Sequence, residues 1–319
     1  MKIVASFSDT AEIGPLCDAG ADELYCAVEG LPAFGYGLLR GGLKAAARLA
    51  HARGRKLSLA ANSLRLNCSR PQLLRLAARL EKAAADGADS LIISSPSVFS
   101  LFETLGRPLP LPVHLSSVQP VFNSRSARWF IRLGVSRIIL PSQVAPLEAL
   151  ELLKECRRAG VETEIFDYRV FGCSYVNGRC NLHGPVYHTF RSGREASAIC
   201  RCGAGTPGRL QVKPADITPG RGAEVPALAR RLYSRMTGGG PPRLYNAASF
   251  YDFYSLGVDY LKYGIRGDPP GEKVRKVRML RELLDAADEI SAAVKDRAEA
   301  RRAFIHRLTG WRGGREAQP

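Results

Sequence analysis

Gly257-Val258-Asp259-Tyr260-Leu261-Lys262-Tyr263 closes a helix and opens a strand within seven residues, and the same junction recurs along the chain. Gly20-Ala21-Asp22 and Gly87-Ala88-Asp89 repeat it closely, and Gly134-Val135 and Gly160-Val161 repeat its first half. A glycine just past a helix takes the left-handed conformation without a Cβ clash, so each joint stops a helix and releases the chain into an extended run. Working outward from these joints, apolar or β-branched runs fall at residues 2–6, 23–27, 56–61, 90–94, 112–115, 137–140, 162–166 and 260–263. Helical patterns lie between them, for example at 43–52, 71–85, 124–133, 146–159 and 249–256. Eight strands alternating with helices predict an α/β chain folded as a (β/α)8 TIM-like barrel, which has no edge strands and carries its active site at the C-terminal ends of the strands.

One connection breaks the rhythm. About ninety residues separate the seventh strand from the eighth, where a few are usual. The expected layout is a barrel over 1–270 with an insertion at 168–248, then a C-terminal helix over 273–295 and a frayed tail from 312 to 319, together forming the segment 271–319. In a barrel, an insertion after strand seven emerges at the catalytic face.

That insertion holds four of the eight cysteines, Cys173, Cys180, Cys200 and Cys202, spaced C-x6-C-x19-C-x-C. Cys17, Cys26, Cys68 and Cys156 are scattered. Clustered thiolates select soft metals or iron–sulfur centres. The spacing does not begin with the short Cys pair of zinc fingers, which favours an iron–sulfur cluster and keeps zinc as the alternative. His183 and His188 lie in the same segment, as loop residues or as further ligands.

The formal net charge is +16, and residues 169–243 carry twelve Lys or Arg against Glu195, Asp216 and Glu224. A surface of that sign suits an anionic substrate or RNA, or is simply an arginine-rich solvated face. The start MKIVASFSDT shows no apolar signal region, and no run of eighteen apolar residues occurs, so the expectation is a cytoplasmic protein with reduced cysteines and no membrane span. The elbow G-x-S-x-G and the metalloprotease H-E-x-x-H are both absent.

From Glu164 the chain reads Glu164-Ile165-Phe166, then Gly172-Cys173, and Cys180 preceded by Gly178-Arg179. This resembles the peptidase U32 (collagenase-like) family signature of E-x-F, a glycine and C-x4-G-x-C. Gly20-Ala21-Asp22 to Tyr25, Ala61-Asn62-Ser63, His114 to Gln119, and Gly257 to Lys262 with Arg266 resemble further family strands in the same order, over residues 1–266. The family label implies a peptidase. Its better-understood relatives imply instead an oxygen-independent hydroxylation of ubiquinone precursors, a tRNA wobble uridine or ribosomal RNA, several of them with a [4Fe-4S] cluster on four cysteines. Carried onto this chain, the ligands are Cys173, Cys180, Cys200 and Cys202, with Cys26 in reserve where relatives have a cysteine and this chain has Tyr245.

Two departures stand out. Gln143 occupies the place of a family glutamate after strand six, and Lys262-Tyr263-Gly264-Ile265-Arg266 lacks the glutamate of the matching stretch. At strand ends, where barrel geometry gathers catalytic groups, the candidates are His114, Asn62 and Asp167, with Glu29 beside them. Lys262, Arg266 and Gln119 are the substrate-binding candidates. The readings are thus an iron–sulfur protein supporting hydroxylation of RNA or of an aromatic or quinone precursor, a U32-type peptidase, or a non-catalytic RNA-binding partner. A protein partner of the same family is also expected.

Overall fold

The computed structural model describes residues 1–33, 37–63, 69–167 and 247–312. Eight parallel strands close into a barrel in chain order. They are β1 Lys2–Ser6, β2 Glu23–Cys26, β3 Lys56–Ala61, β4 Ser90–Ile93, β5 Val113–Leu115, β6 Val135–Ile139, β7 Glu162–Phe166 and β8 Tyr260–Tyr263. Closure comes from pairing β1 with β8, Lys2 opposite Tyr260 and Val4 opposite Lys262. Helices α1 Ile13–Asp18, α2 Leu43–His51, α3 Arg70–Ala85, α4 Ser97–Thr104, α5 Ser124–Arg132, α6 Pro146–Arg158 and α7 Ala247–Ser255 surround it, and α8 Pro270–Ala293 and α9 Arg297–Arg312 follow β8.

All five sequence joints have glycine at positive φ: Gly20 (103°), Gly87 (98°), Gly134 (89°), Gly160 (66°) and Gly257 (74°). The aspartate of each full joint then ties two strands. Asp22 Oδ2 accepts from Ile3 N at 2.8 Å, Asp89 Oδ2 from Leu57 N at 2.7 Å, and Asp259 Oδ2 from Thr163 N at 2.7 Å. In each case the amide lies on the neighbouring earlier strand, so the joint that starts one strand also fixes its register against the last.

Alternation along the strands sorts the side chains. Ile3, Ala5, Leu24, Leu57, Leu91, Ile138, Ile165 and Leu261 face outward and share one apolar core with the helices. Val4, Tyr25, Ile92, Ile139, Phe166 and Tyr260 form a separate cluster inside the barrel. Helix α8 packs on β1 and α1, and α9 packs on α7 and α8. There the Phe304 ring lies 5.7 Å from Phe250 and 4.9 Å from Tyr251. The segment after 270 thus completes the barrel wall, and it contains a second helix where the sequence predicted one helix and a tail. Among the described residues no helix is long and apolar enough to cross a membrane.

Candidate functional site

The helix-facing side of a barrel strand is dry and excludes charge, so a charged residue inside a strand points into the lumen. By that rule Glu23, Arg137, Glu164 and Lys262 are lumenal, and all four are buried. Charges this far from water persist only when paired and hydrogen-bonded. The Arg137 guanidinium donates through Nη1 and Nη2 to the two Glu23 oxygens at 3.0 and 2.8 Å, through Nη1 to Glu164 Oε2 at 3.0 Å, and through Nε to Glu162 Oε2 at 2.9 Å. Its face lies 3.5 Å from the centroid of the Tyr260 ring. Lys262 Nζ donates to Glu164 Oε1 at 2.7 Å, and Ser58 Oγ donates to Glu23 Oε1 at 2.6 Å.

Burial opposes the Glu164 carboxylate, but Lys262 and Arg137 outweigh it and hold the group below its ordinary pKa. Burial likewise opposes the charge on Arg137, and Glu164, Glu23 and Glu162 overcome it and raise its pKa. A fixed ionic lattice therefore shares the lumen with Val4, Ile92 and Ile139, where barrels of this kind usually stack branched aliphatics throughout.

Above the lattice lies the mouth. Tyr25 donates its hydroxyl to the Gly264 carbonyl at 2.8 Å, with Lys262 Nζ 4.1 Å from its ring centroid and Arg266 6.0 Å from it. Burial pushes the Tyr25 phenol up to about 12, so it stays protonated. On the opposite rim Asn62 Nδ2 donates to Ser116 Oγ at 3.1 Å, and Ser94 Oγ donates to the Ser63 carbonyl at 2.6 Å. The loop after β2 folds over the β1 and β8 side of the mouth. Arg40 N donates to Ser8 O and Leu39 N to Ala27 O, both at 2.7 Å, and Gly37 (φ 76°) sits so close to Arg266 that a Cβ there would meet its Cβ and backbone at 2.9 Å.

Of the sequence candidates, Asn62 stands at the rim, half-buried, and Asp167 is buried just past β7, its backbone N donating to the Lys262 carbonyl at 2.9 Å. Gln119 closes a turn on Ser116. Lys262 is part of the lattice and Arg266 is buried behind Tyr25. Glu29 is exposed. His114 corrects its sequence placement, which put it at the mouth: Ser116 N donates to Ile93 O, so the β4–β5 pairing continues past Leu115 and His114 sits a level lower. There its Nδ1 is 3.9 Å from Glu23 Oε1, beyond hydrogen-bond reach. Burial first, then Arg137, Lys262 and Lys56, hold its imidazole well below its ordinary pKa and therefore neutral.

Cys173, Cys180, Cys200 and Cys202, with His183, His188 and Tyr245, lie outside the described residues. Among the described residues the free cysteines are Cys17, Cys26 and Cys156, all buried, and no group of three or more His, Cys, Asp or Glu could hold a metal ion. Cys26 faces the helix-side core, and burial pushes its thiol up to about 12. The insertion leaves the barrel at the C-terminal end of β7, and β8 begins at the opposite end after α7, so both of its attachment points are on the mouth side.

Glu23 and Arg137 are not among the sequence candidates, and Glu164 enters only within the E-x-F motif. The available signal was a charged residue alternating with apolar ones inside short strands, as in Val135-Ser136-Arg137-Ile138-Ile139.

A family model described as Peptidase family U32 matches residues 9–313. The tRNA hydroxylation protein P of Helicobacter pylori strain J99 is 33% identical over 131 residues, 41% of this chain and 29% of that protein. Its Escherichia coli counterpart is 29% identical over 140 residues, 43% of this chain and 28% of that protein. The chain thus matches less than a third of the length of these relatives. A solved structure of the U32 peptidase Mk0906 superposes with a TM-score of 0.50 at 16% identity, covering 85% of this chain and 94% of that one, a likeness of fold.

Proposed function

The chain belongs to peptidase family U32, and from that premise we propose that it supports hydroxylation of a tRNA nucleoside at the barrel mouth. The observation that carries this reading is the likeness to proteins named for tRNA hydroxylation. The mouth suits a nucleoside. Tyr25, Asn62, Ser116 and Lys262 line or underlie it with a phenol, an amide, a hydroxyl and an ammonium group, and the +16 chain attracts a polyanion.

Within this reading Cys173, Cys180, Cys200 and Cys202 hold an iron–sulfur cluster, with zinc as the alternative, and the cluster supplies redox chemistry when bound. The residues of the barrel do the rest: the ionic lattice keeps Lys262 in one position beneath the mouth, and Asn62, oriented by Ser116, offers an amide to a base edge. The peptidase reading needs an activated thiolate, Cys173 or Cys180 beside His183, and these residues lie outside the described ones.

The test is nucleoside analysis by mass spectrometry of tRNA from cells lacking the gene. A nucleoside lighter by one oxygen is expected to accumulate, and the wild-type chain but not Cys173→Ala or Cys180→Ala restores the heavier form. Protein purified without air is expected to carry iron and acid-labile sulfide. Identical nucleosides with and without the gene would sink the proposal.

A further inference from the structure

Helix α5 presents an outer face that its own fold does not explain. Its sequence, Ser124-Arg125-Ser126-Ala127-Arg128-Trp129-Phe130-Ile131-Arg132, has no acidic residue. Ala127 and Phe130 are buried, so Arg125, Trp129 and Arg132 share the opposite side at spacings of four and three residues, which are neighbouring positions on a helix. Trp129 is 42% exposed, and Phe122, just ahead of the helix, is 41% exposed.

Arg128 pairs with Glu155 at 2.9 Å, but among the described residues neither Arg125 nor Arg132 has a carboxylate within ion-pair reach. Arg125 also stands in the first helical turn, where the macrodipole disfavours a cation. Asn123 already caps that turn, accepting from Ser126 N at 3.0 Å, so the arginine is not needed as a cap. What remains is an aromatic plane between two guanidinium groups that no described carboxylate pairs, Arg132 standing in the last turn, where the macrodipole favours a cation.

The strip begins at the mouth. Phe122 follows the turn of Ser116 to Gln119 that ends β5, and α5 then runs down the outer wall away from it.

We infer that the outer face of α5 is an RNA-docking surface, on which an unpaired base stacks on Trp129 while Arg125 and Arg132 hold the flanking phosphates. This rests on RNA being the substrate class. Every base has a π-face, so stacking on an exposed indole is sequence-tolerant, and guanidinium groups supply the phosphate contacts. Charge complementarity selects RNA over a protein partner: the face is cationic, lacks carboxylates, and belongs to a chain of net charge +16.

The test uses the full chain and a fluorescein-labelled unmodified tRNA transcript, followed by anisotropy across a salt series. Trp129→Ala is expected to weaken binding about tenfold, within the range for one stacked base, and Trp129→Phe to retain most of it. Arg125→Gln with Arg132→Gln is expected to lower the salt slope by about 1.4, two single-strand phosphate contacts. The chain has two tryptophans, so in a Trp311→Phe background the fluorescence of Trp129 reports directly and is expected to be quenched by RNA.

Affinity within twofold of wild type for Trp129→Ala, or an unquenched Trp129, overturns the inference. So does sedimentation showing a dimer that Trp129→Ala or Leu147→Asn dissolves while RNA affinity stays unchanged, because the 82% exposed Leu147 on the neighbouring α6 would then mark a protein interface. Unaltered cellular nucleosides beside intact Trp129-dependent binding would remove the proposed activity and leave the surface. Gene-dependent hydroxylation beside Trp129-independent binding would do the reverse.

Discussion

Burial, and then the positive charges of Arg137, Lys262 and Lys56, keep His114 neutral inside the barrel. That protonation state ties the residue to stability as well as to the site. Its folded pKa lies well below 6.5 and its unfolded value is near 6.5, so in between the unfolded chain binds a proton that the folded chain refuses. Stability from this group is complete above about pH 6.5 and falls as the pH drops, by at most about 1.4 kcal/mol per unit. Urea unfolding at about pH 7.5 and pH 5.5 should show a steeper acid loss for wild type than for His114→Asn. Equal losses would mean that the imidazole is protonated in the folded state. The level of His114 was hard to read from sequence because β5 is three residues long and its register slips between Val113 and His114. With so short a run, period-two patterning cannot say which residue is the last one paired. Asn62 and Asp167 close better-patterned strands, and their positions at the ends of β3 and β7 were legible.

At the scale of elements, the Gly-x-Asp joint has two separable functions. Glycine ends the helix, and aspartate binds the preceding strand. Asp259 directs both Oδ2 bonds to the preceding strand, accepting Thr163 N at 2.7 Å and Thr163 Oγ1 at 2.9 Å, whereas Asp22 and Asp89 share theirs with Arg281 and His51. Asp259→Ala leaves a backbone amide and a hydroxyl without their partner, a loss of about 1–3 kcal/mol. Chemical denaturation should show that loss, together with faster hydrogen exchange at the Thr163 amide. Wild-type exchange at that amide would show the joint to be only a helix stop. These joints make five of the eight strands readable: β2, β4, β6, β7 and β8 each carry a local chemical mark at the start. Helix α9 carries none. Its sequence is dense in arginine, and what holds it is the distant packing of Phe304 on Phe250 and Tyr251. The lumenal lattice was hidden for a related reason, because Glu23 and Arg137 lie 114 positions apart and only barrel closure makes them a pair.

At the scale of the molecule, the fold depends on joining its two ends, and a buried ion pair stands at that seam. Lys273, in the first turn of α8, is fully buried and donates to Glu12 Oε2 at 2.7 Å and to Ser8 Oγ at 3.0 Å. Glu12 and Ser8 follow β1, whereas Lys273 follows β8, so the pair forms only when the strands from opposite ends of the chain have met. Nearby, Arg281 of α8 reaches Asp22 Oδ2 at 2.5 Å and the Gly20 carbonyl at 2.7 Å, fastening the same helix to the first joint. An ion pair taken out of water adds little net stability as a unit, but removing one member strands the other charge at a cost of about 3–5 kcal/mol. Lys273→Met should therefore lower unfolding stability by that amount. Glu12→Gln combined with Lys273→Met should recover more than half of the loss, since neither charge is then left alone. The comparison is made by urea denaturation of the single and double variants, with far-ultraviolet circular dichroism to confirm the barrel. A double variant as unstable as Lys273→Met would show that the seam depends on lysine packing, and that charge pairing is not what closes the barrel.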